Sequence, residues 1–258
     1  MKNQEICEIL RQNEIADGIF DMTLKTYRIA GAALAGQFVS IYLNDRSRLL
    51  PRPISICEAD PGRSTLRLVY RVTGPETGTD ILSTYETGTR IHVTGPLGNG
   101  FPIDDLQNKR VFLIGGGIGI PPLLETAKRL HGTVIPVLGY RSGPFLENEF
   151  GKYGETYLAS EDGSCGVKGN VLDCIRQNDL HADAILACGP RPMLRALKEY
   201  ALSENIPCWI SMEERMACGI GACLACVCKT TGRDEHSNVF NTRICKDGPV
   251  FLSTEVEL

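Results

Sequence analysis

The stretch that most constrains this chain is MEERMACGIGACLACVC, residues 212–228. Within it Cys218, Cys223 and Cys226 stand at C-x4-C-x2-C, and Cys245 follows after eighteen intervening residues. Three thiolates at that spacing can converge on one iron-sulfur cluster with the later cysteine as fourth ligand, which is the plant-type 2Fe-2S pattern. Gly219 and Gly221 fall in the first gap, where the backbone must wrap a cluster with its N–H groups turned towards sulfur, a conformation open to glycine. Ala222 and Ala225 are small enough for the same crowded turn.

Buried core thiols are the plain alternative, because free cysteine is among the most buried residue types. Yet four cysteines within residues 218–228, interleaved with glycine, follow neither a helix face nor a strand. Zinc is the second alternative, although a zinc ribbon uses two C-x2-C pairs and Cys245 has no partner two or three residues away. Cys228 stays open as a replacement for Cys226, at the unfamiliar spacing C-x4-C-x4-C.

The 258 residues leave room for two domains and a small appendage, and a composition 43% hydrophobic and 22% charged is that of a soluble globular chain. A net charge of −4 without a basic run argues against nucleic acid as a partner. The start, MKNQEICEIL, lacks an apolar export segment and no stretch approaches eighteen apolar residues, so a cytoplasmic protein without a membrane span is expected. Eleven cysteines in a reducing compartment point to metal or redox chemistry rather than to disulfides.

From Ile6 to about Ile103, short alternating runs broken by turn signals (FDMTLKTYRIA, QFVSIYL, PISICEA, STLRLVYRV, TRIHVTGPLG) predict an antiparallel barrel. Arg52, Pro53, Ile54 and Ser55 follow the second run; Val69, Tyr70 and Arg71 end the fourth. Gly78 and Thr79 precede a predicted helix beginning near Asp80. Arginine forks and a helix N-terminus suit phosphate oxygens, and Tyr70 or Ser55 suits an isoalloxazine or ribityl chain, as a flavin dinucleotide requires. The spacing alone implies only an anionic ligand.

At Val111 the pattern changes to VFLIGGGIGIPPLLETAKRL, a buried strand, a glycine turn with Gly115, Gly116, Gly117 and Gly119, and a helix opened by Pro121 and Pro122. Continued strand and helix alternation predicts a parallel doubly wound sheet. Cys188, Gly189 and Pro190 end its fourth strand; alone they are a strand-to-helix turn, and with the glycine cluster upstream they mark a nucleotide site. Glu161 or Asp162 would favour NAD by accepting from a ribose 2′-OH, whereas Arg141 would meet a 2′-phosphate, so the residues leave that choice open. His92, His131, His181 and His236 are scattered, and no acid-base catalytic residue is expected.

Taken in this order, the motifs resemble the ferredoxin-NADP reductase superfamily, and within it the electron-transfer subunits of NAD-dependent, class B dihydroorotate dehydrogenase. RPIS, LVYR, GT, GGGIGIPPLL, CGPRPML, ERMACGIGACLACVC and CKDGPVF carry the resemblance across nearly the whole chain. The turn at 74–77 and the loop from Cys226 to Cys245 are longer than that pattern. The resemblance implies an α+β multidomain fold: an FAD-binding antiparallel β-barrel over residues 1–103, a Rossmann-like α/β NAD domain over 104–210 and a small plant-type 2Fe-2S domain over 211–258. It implies FAD at Arg52 to Ser55, Val69 to Arg71, Gly78 and Thr79, NAD at Gly115 to Gly119 and at Cys188 to Pro190, and the cluster on Cys218, Cys223, Cys226 and Cys245. It further implies an FMN-containing catalytic partner in a heterotetramer of two plus two, feeding electrons to NAD in pyrimidine biosynthesis. Two alternatives share features of the chain. One is the small subunit of another FAD and 2Fe-2S oxidoreductase, of ferredoxin-NADP oxidoreductase or sulfhydrogenase gamma type; the other is a zinc-bearing binding module on a degenerate reductase fold.

Overall fold

A computed structural model describes residues 3–45, 47–233 and 238–258. The first strand, β1 (Asn3–Ala16), has polar residues over much of its length and is largely exposed on one face, so it does not stand out as a hydrophobic run. The run FDMTLKTYRIA divides into β2 (Ile19–Lys25) and a short helix, α1 (Arg28–Ala32). The reason is not local: the Glu5 carboxylate on β1 accepts the N–H groups of Tyr27, Arg28 and Ile29 at 2.9, 2.7 and 3.0 Å, satisfying donors that a helix start leaves free.

The chain continues through β3 (Phe38–Tyr42), β4 (Arg52–Asp60), β5 (Thr65–Arg71), α2 (Gly78–Ser83) and β6 (Arg90–Leu97). The six strands close an antiparallel barrel in the order β1-β2-β5-β4-β3-β6. Its interior is filled by alternate residues such as Val39, Ile41, Ile56, Leu68 and Val93, all fully buried, each contributing about 1.5–3 kcal/mol by leaving water. Helix α2 starts two residues earlier than the sequence predicts, because Thr77 caps it by accepting from Asp80 N.

Beyond the barrel come β7 (Arg110–Gly116), α3 (Pro122–Arg129), β8 (Thr133–Tyr140), α4 (Glu147–Phe150), β9 (Tyr157–Ser160), β10 (Val167–Lys168), α5 (Val171–Gln177), β11 (Ala184–Cys188), α6 (Arg191–Glu204) and β12 (Cys208–Ser211). They form a parallel sheet in the order β10-β9-β8-β7-β11-β12. The strand order reverses between β7 and β11. In open α/β sheets the crevice outside the strand ends at such a point is where ligands bind.

The remaining strands are β13 (Val227–Lys229), β14 (Asn241–Arg243) and β15 (Val250–Leu252). The first two form a small antiparallel ribbon, and β15 returns to pair antiparallel with β12, adding a seventh strand to the nucleotide sheet. The barrel is fastened to that sheet by Arg67, which is 15% exposed and bonds Asp21, Glu58 and, across to α4, both carboxylate oxygens of Glu149 at 2.6 and 2.9 Å. Glu125 of α3 adds a buried link by accepting from Ala59 N at 3.0 Å. Among the described residues no helix is long and apolar enough to cross a membrane.

Candidate functional site

Strands β3, β4 and β5, the glycine turn after β7 and the segment after β12 enclose a cleft of about 750 Å³. Arg52, Pro53, Ile54, Ser55, Val69, Tyr70, Arg71 and Thr79 all line it. Gly78 sits behind Arg52, so close that a Cβ added there would collide with the guanidinium. Arg52 Nε is buried and has no hydrogen-bond partner among the described residues. A buried cationic donor left unpaired is costly, and an anionic ligand oxygen in the cleft would satisfy it. The residues therefore fit FAD. Beside it Thr73 N–H donates to Thr79 Oγ1 at 3.1 Å, fixing that hydroxyl near the start of α2.

Tyr70 is part of the cleft lining and is also anchored within the barrel. Its side chain is 1% exposed, its ring stacks on Phe20 at 5.8 Å, and its hydroxyl donates to Gln12 Oε1 at 3.0 Å. Gln12 in turn holds the end of α2 through Leu82, Ser83 and Tyr85 carbonyls. Tyr70 thus braces the helix that carries Gly78 and Thr79. The segment Ser211 to Met216 also lines the cleft and was not anticipated as part of it, because in sequence it reads only as the approach to the cysteines.

Arg71 reaches from the barrel to the nucleotide sheet, where its Nη2 lies 3.3 Å from the Cβ position of Gly117, a residue at φ +55°. At the same crossing Gly119 packs against the Cys188 carbonyl, and Gly116 leaves no room for a Cβ beside Met193 and Pro190. The two glycine-containing motifs, 73 residues apart in sequence between Gly115 and Cys188, are thus neighbours at the reversal point, paired in register across β7 and β11. This tight, open-ended cradle fits a dinucleotide. Burial first, and then Glu213, push the Cys188 thiol up. Glu213 faces the cleft with its own carboxyl raised by the surrounding protein, against the pull of Arg71. At the far end Arg141 and Glu161 face each other at 3.9 Å, while Asp162 is occupied by accepting from Ser164 N in its turn.

In the cysteine loop, Cys218 Sγ accepts the N–H groups of Ile220, Ala222 and Cys223 at 3.4, 3.3 and 3.4 Å. Gly221 N donates to Cys245 Sγ at 3.1 Å, and Cys245 N to Cys226 Sγ at 3.4 Å. The thiols meet as two pairs, Cys218 with Cys223 and Cys226 with Cys245. Among the described residues no three such side chains are grouped round a single-ion position. Burial alone would raise Cys218, but the converging N–H groups together with the Cys223 thiol outweigh it and bring the thiol down to about 6. Cys245 is pushed up to about 12 by burial and then by Cys226. Two thiol pairs wrapped in N–H donors fit a two-iron cluster. Cys228 lies on β13 opposite Thr242, packed in the apolar core and raised to about 11 by burial. His92, His131 and His181 are exposed; His236 lies outside the described residues.

Residues 213–257 match the iron-sulfur cluster binding domain of dihydroorotate dehydrogenase B. The chain is 42% identical over 265 residues, covering all of both chains, to the dihydroorotate dehydrogenase B (NAD(+)) electron transfer subunit of Geobacillus sp. (strain WCH70). Its counterpart in Bacillus velezensis is 45% identical, covering 95% of this chain and 96% of that one. The chain belongs to the family of dihydroorotate dehydrogenase B electron transfer subunits. Among solved structures, a NADH-dependent reduced ferredoxin-NADP oxidoreductase aligns at a TM-score of 0.87 and 29% identity over 98% of this chain and 90% of that one. The flavohemoglobin of Malassezia yamatoensis, with bound FAD and heme, shares the fold at a TM-score of 0.63, 18% identity and 79% and 57% coverage. Membership in the dihydroorotate dehydrogenase B family favours that reading over a zinc module, because the four cysteines lie within the matched cluster-binding domain.

For this family member, Arg52→Ala is expected to weaken FAD by about 1.5–3 kcal/mol, about one to two decades in affinity. Gly78→Ala should copy much of that loss by displacing the same guanidinium. Flavin absorbance retained after gel filtration reports both; full retention in the two variants would remove Arg52 from the site.

Proposed function

We propose that this chain carries electrons from an FMN-containing catalytic subunit of dihydroorotate dehydrogenase, through a 2Fe-2S cluster and FAD, to NAD in pyrimidine biosynthesis. One observation carries the reading: the cleft that fits FAD is walled on one side by the glycine turn at the strand reversal and on another by the segment leading into the cysteine loop. When bound, a cluster supplies one-electron transfer, a flavin pairs electrons, and nicotinamide takes them as hydride.

The chain's own residues bind, orient and shield. Arg52, Arg71 and the start of α2 hold the FAD phosphates, with Pro53, Ile54, Ser55 and Val69 along its length and Tyr70 as the brace beneath. Gly115, Gly116, Gly117, Gly119, Cys188, Gly189 and Pro190 form the NAD cradle, and Glu161 is the better placed acid for the ribose 2′-OH. Cys218, Cys223, Cys226 and Cys245 hold the cluster. The division into residues 1–103, 104–210 and 211–258 follows these three tasks. Dihydroorotate itself is oxidised in the partner, in an assembly of two plus two, in the cytoplasm.

The purified chain alone should oxidise NADH with an artificial acceptor such as ferricyanide, in proportion to its FAD content. An FAD-loaded chain with no NADH oxidation would sink the nucleotide assignment.

A further inference from the structure

Among the described residues, the barrel face that meets the cysteine loop contains a buried polar side chain with no partner. On β3, Val39 and Ile41 point into the barrel, while Phe38 packs outward with Leu97 in the same core cluster as Cys226, Ile244 and Cys245. Ser40 lies on the outward side with Phe38, 1% exposed, and its hydroxyl has no hydrogen-bond partner among the described residues. What covers it is the cysteine loop. A Cβ built on Gly219, the residue after Cys218, would lie 2.8 Å from Ser40 Oγ and 3.5 Å from Leu97 Cδ1.

A hydroxyl buried without an acceptor is unfavourable unless an acceptor arrives. The neighbouring N–H groups are already directed at the cysteine sulfurs, so the chemistry due at this spot is an anionic sulfur. We infer that Ser40 tunes the iron-sulfur centre, its hydroxyl donating to a sulfur of the loaded cluster or of Cys218. The inference rests on the reading that the four cysteines hold a 2Fe-2S cluster. Such a bond favours the reduced, more negative centre and raises its potential. Ser40 also stands opposite Pro53 in the β3–β4 register, and Phe38 opposite Ser55, so the strand that supports the loop is paired with the strand that lines the flavin cleft.

The test is a redox titration of the purified chain followed by electron paramagnetic resonance of the reduced cluster, with flavin absorbance read in parallel. Ser40→Ala should move the cluster to lower potential and alter its signal while leaving the flavin potential in place. Ser40→Thr, which keeps the hydroxyl, should lie closer to the native value. In the cluster-free chain Ser40→Ala should be at least as heat-stable as native, since it removes an unsatisfied group. An unchanged cluster potential in Ser40→Ala, or equal shifts in the alanine and threonine variants, would overturn the inference. A native chain with no reduced 2Fe-2S signal would instead contradict the cysteine assignment on which it rests.

Discussion

Cys245→Ser is expected to lose the 2Fe-2S signal, and Cys228→Ser to keep it, although Cys228 lies far closer in sequence to the other cysteines. Cys245 meets Cys226 thiol to thiol and accepts from Gly221 N within the loop, so serine there breaks one of the two thiol pairs. Cys228 sits on β13 opposite Thr242, outside the two thiol pairs that the other four cysteines form. Cys218→Ser and Cys223→Ser should match Cys245→Ser. In each ligand variant dihydroorotate-dependent NAD reduction should disappear while NADH oxidation with ferricyanide continues, because Arg52, Gly78 and the glycine cradle are untouched. Iron and sulfide analysis with visible spectra checks the series; loss of the cluster in Cys228→Ser with retention in Cys245→Ser would reverse the ligand assignment.

The second large effect concerns assembly. Leu224 is 61% exposed and holds φ +58°, a left-handed conformation unfavourable for a bulky side chain, while Ile220 is 44% and Val227 39% exposed beside it. Scattered apolar residues on a surface carry no message, but three around a redox centre that must approach another are suited to a partner's surface. Leu224→Glu would bury an unpaired carboxylate on assembly, costing about 3–5 kcal/mol, or about two to nearly four decades in affinity. Size-exclusion chromatography with the catalytic subunit should show separated chains, with FAD and cluster content of this chain unchanged. Normal co-elution of the variant would place the interface elsewhere.

These expectations draw unequally on sequence. The cysteine spacing, the glycine turn before Pro121 and the RPIS strand were legible because each works within a few residues: a loop around a cluster, a turn at a strand end, an arginine on an alternating strand. Helix α1 was not, since the carboxylate that receives its N–H groups comes from Glu5, more than twenty residues earlier. Nor was the bracing of α2 by Tyr70, which a hydrogen bond to Gln12 and stacking on Phe20 add to its place in the cleft lining. Ser211 to Met216 joined the cleft only because β15 returns to pair with β12 and holds that segment against the barrel. Such long-range pairings leave no periodic trace in the sequence. The unpaired Arg52 Nε is likewise visible only in three dimensions.

A relay chain passes on electrons that it does not itself extract. The direct measurement is NADH formation from dihydroorotate and NAD with the purified chain alone, the catalytic subunit alone and the two recombined. NADH should form at an appreciable rate only in the recombined sample, and it should fall away when the recombined chain carries Cys245→Ser. NADH formation from dihydroorotate by the single chain, or an undiminished rate with the Cys245→Ser chain, would contradict the relay.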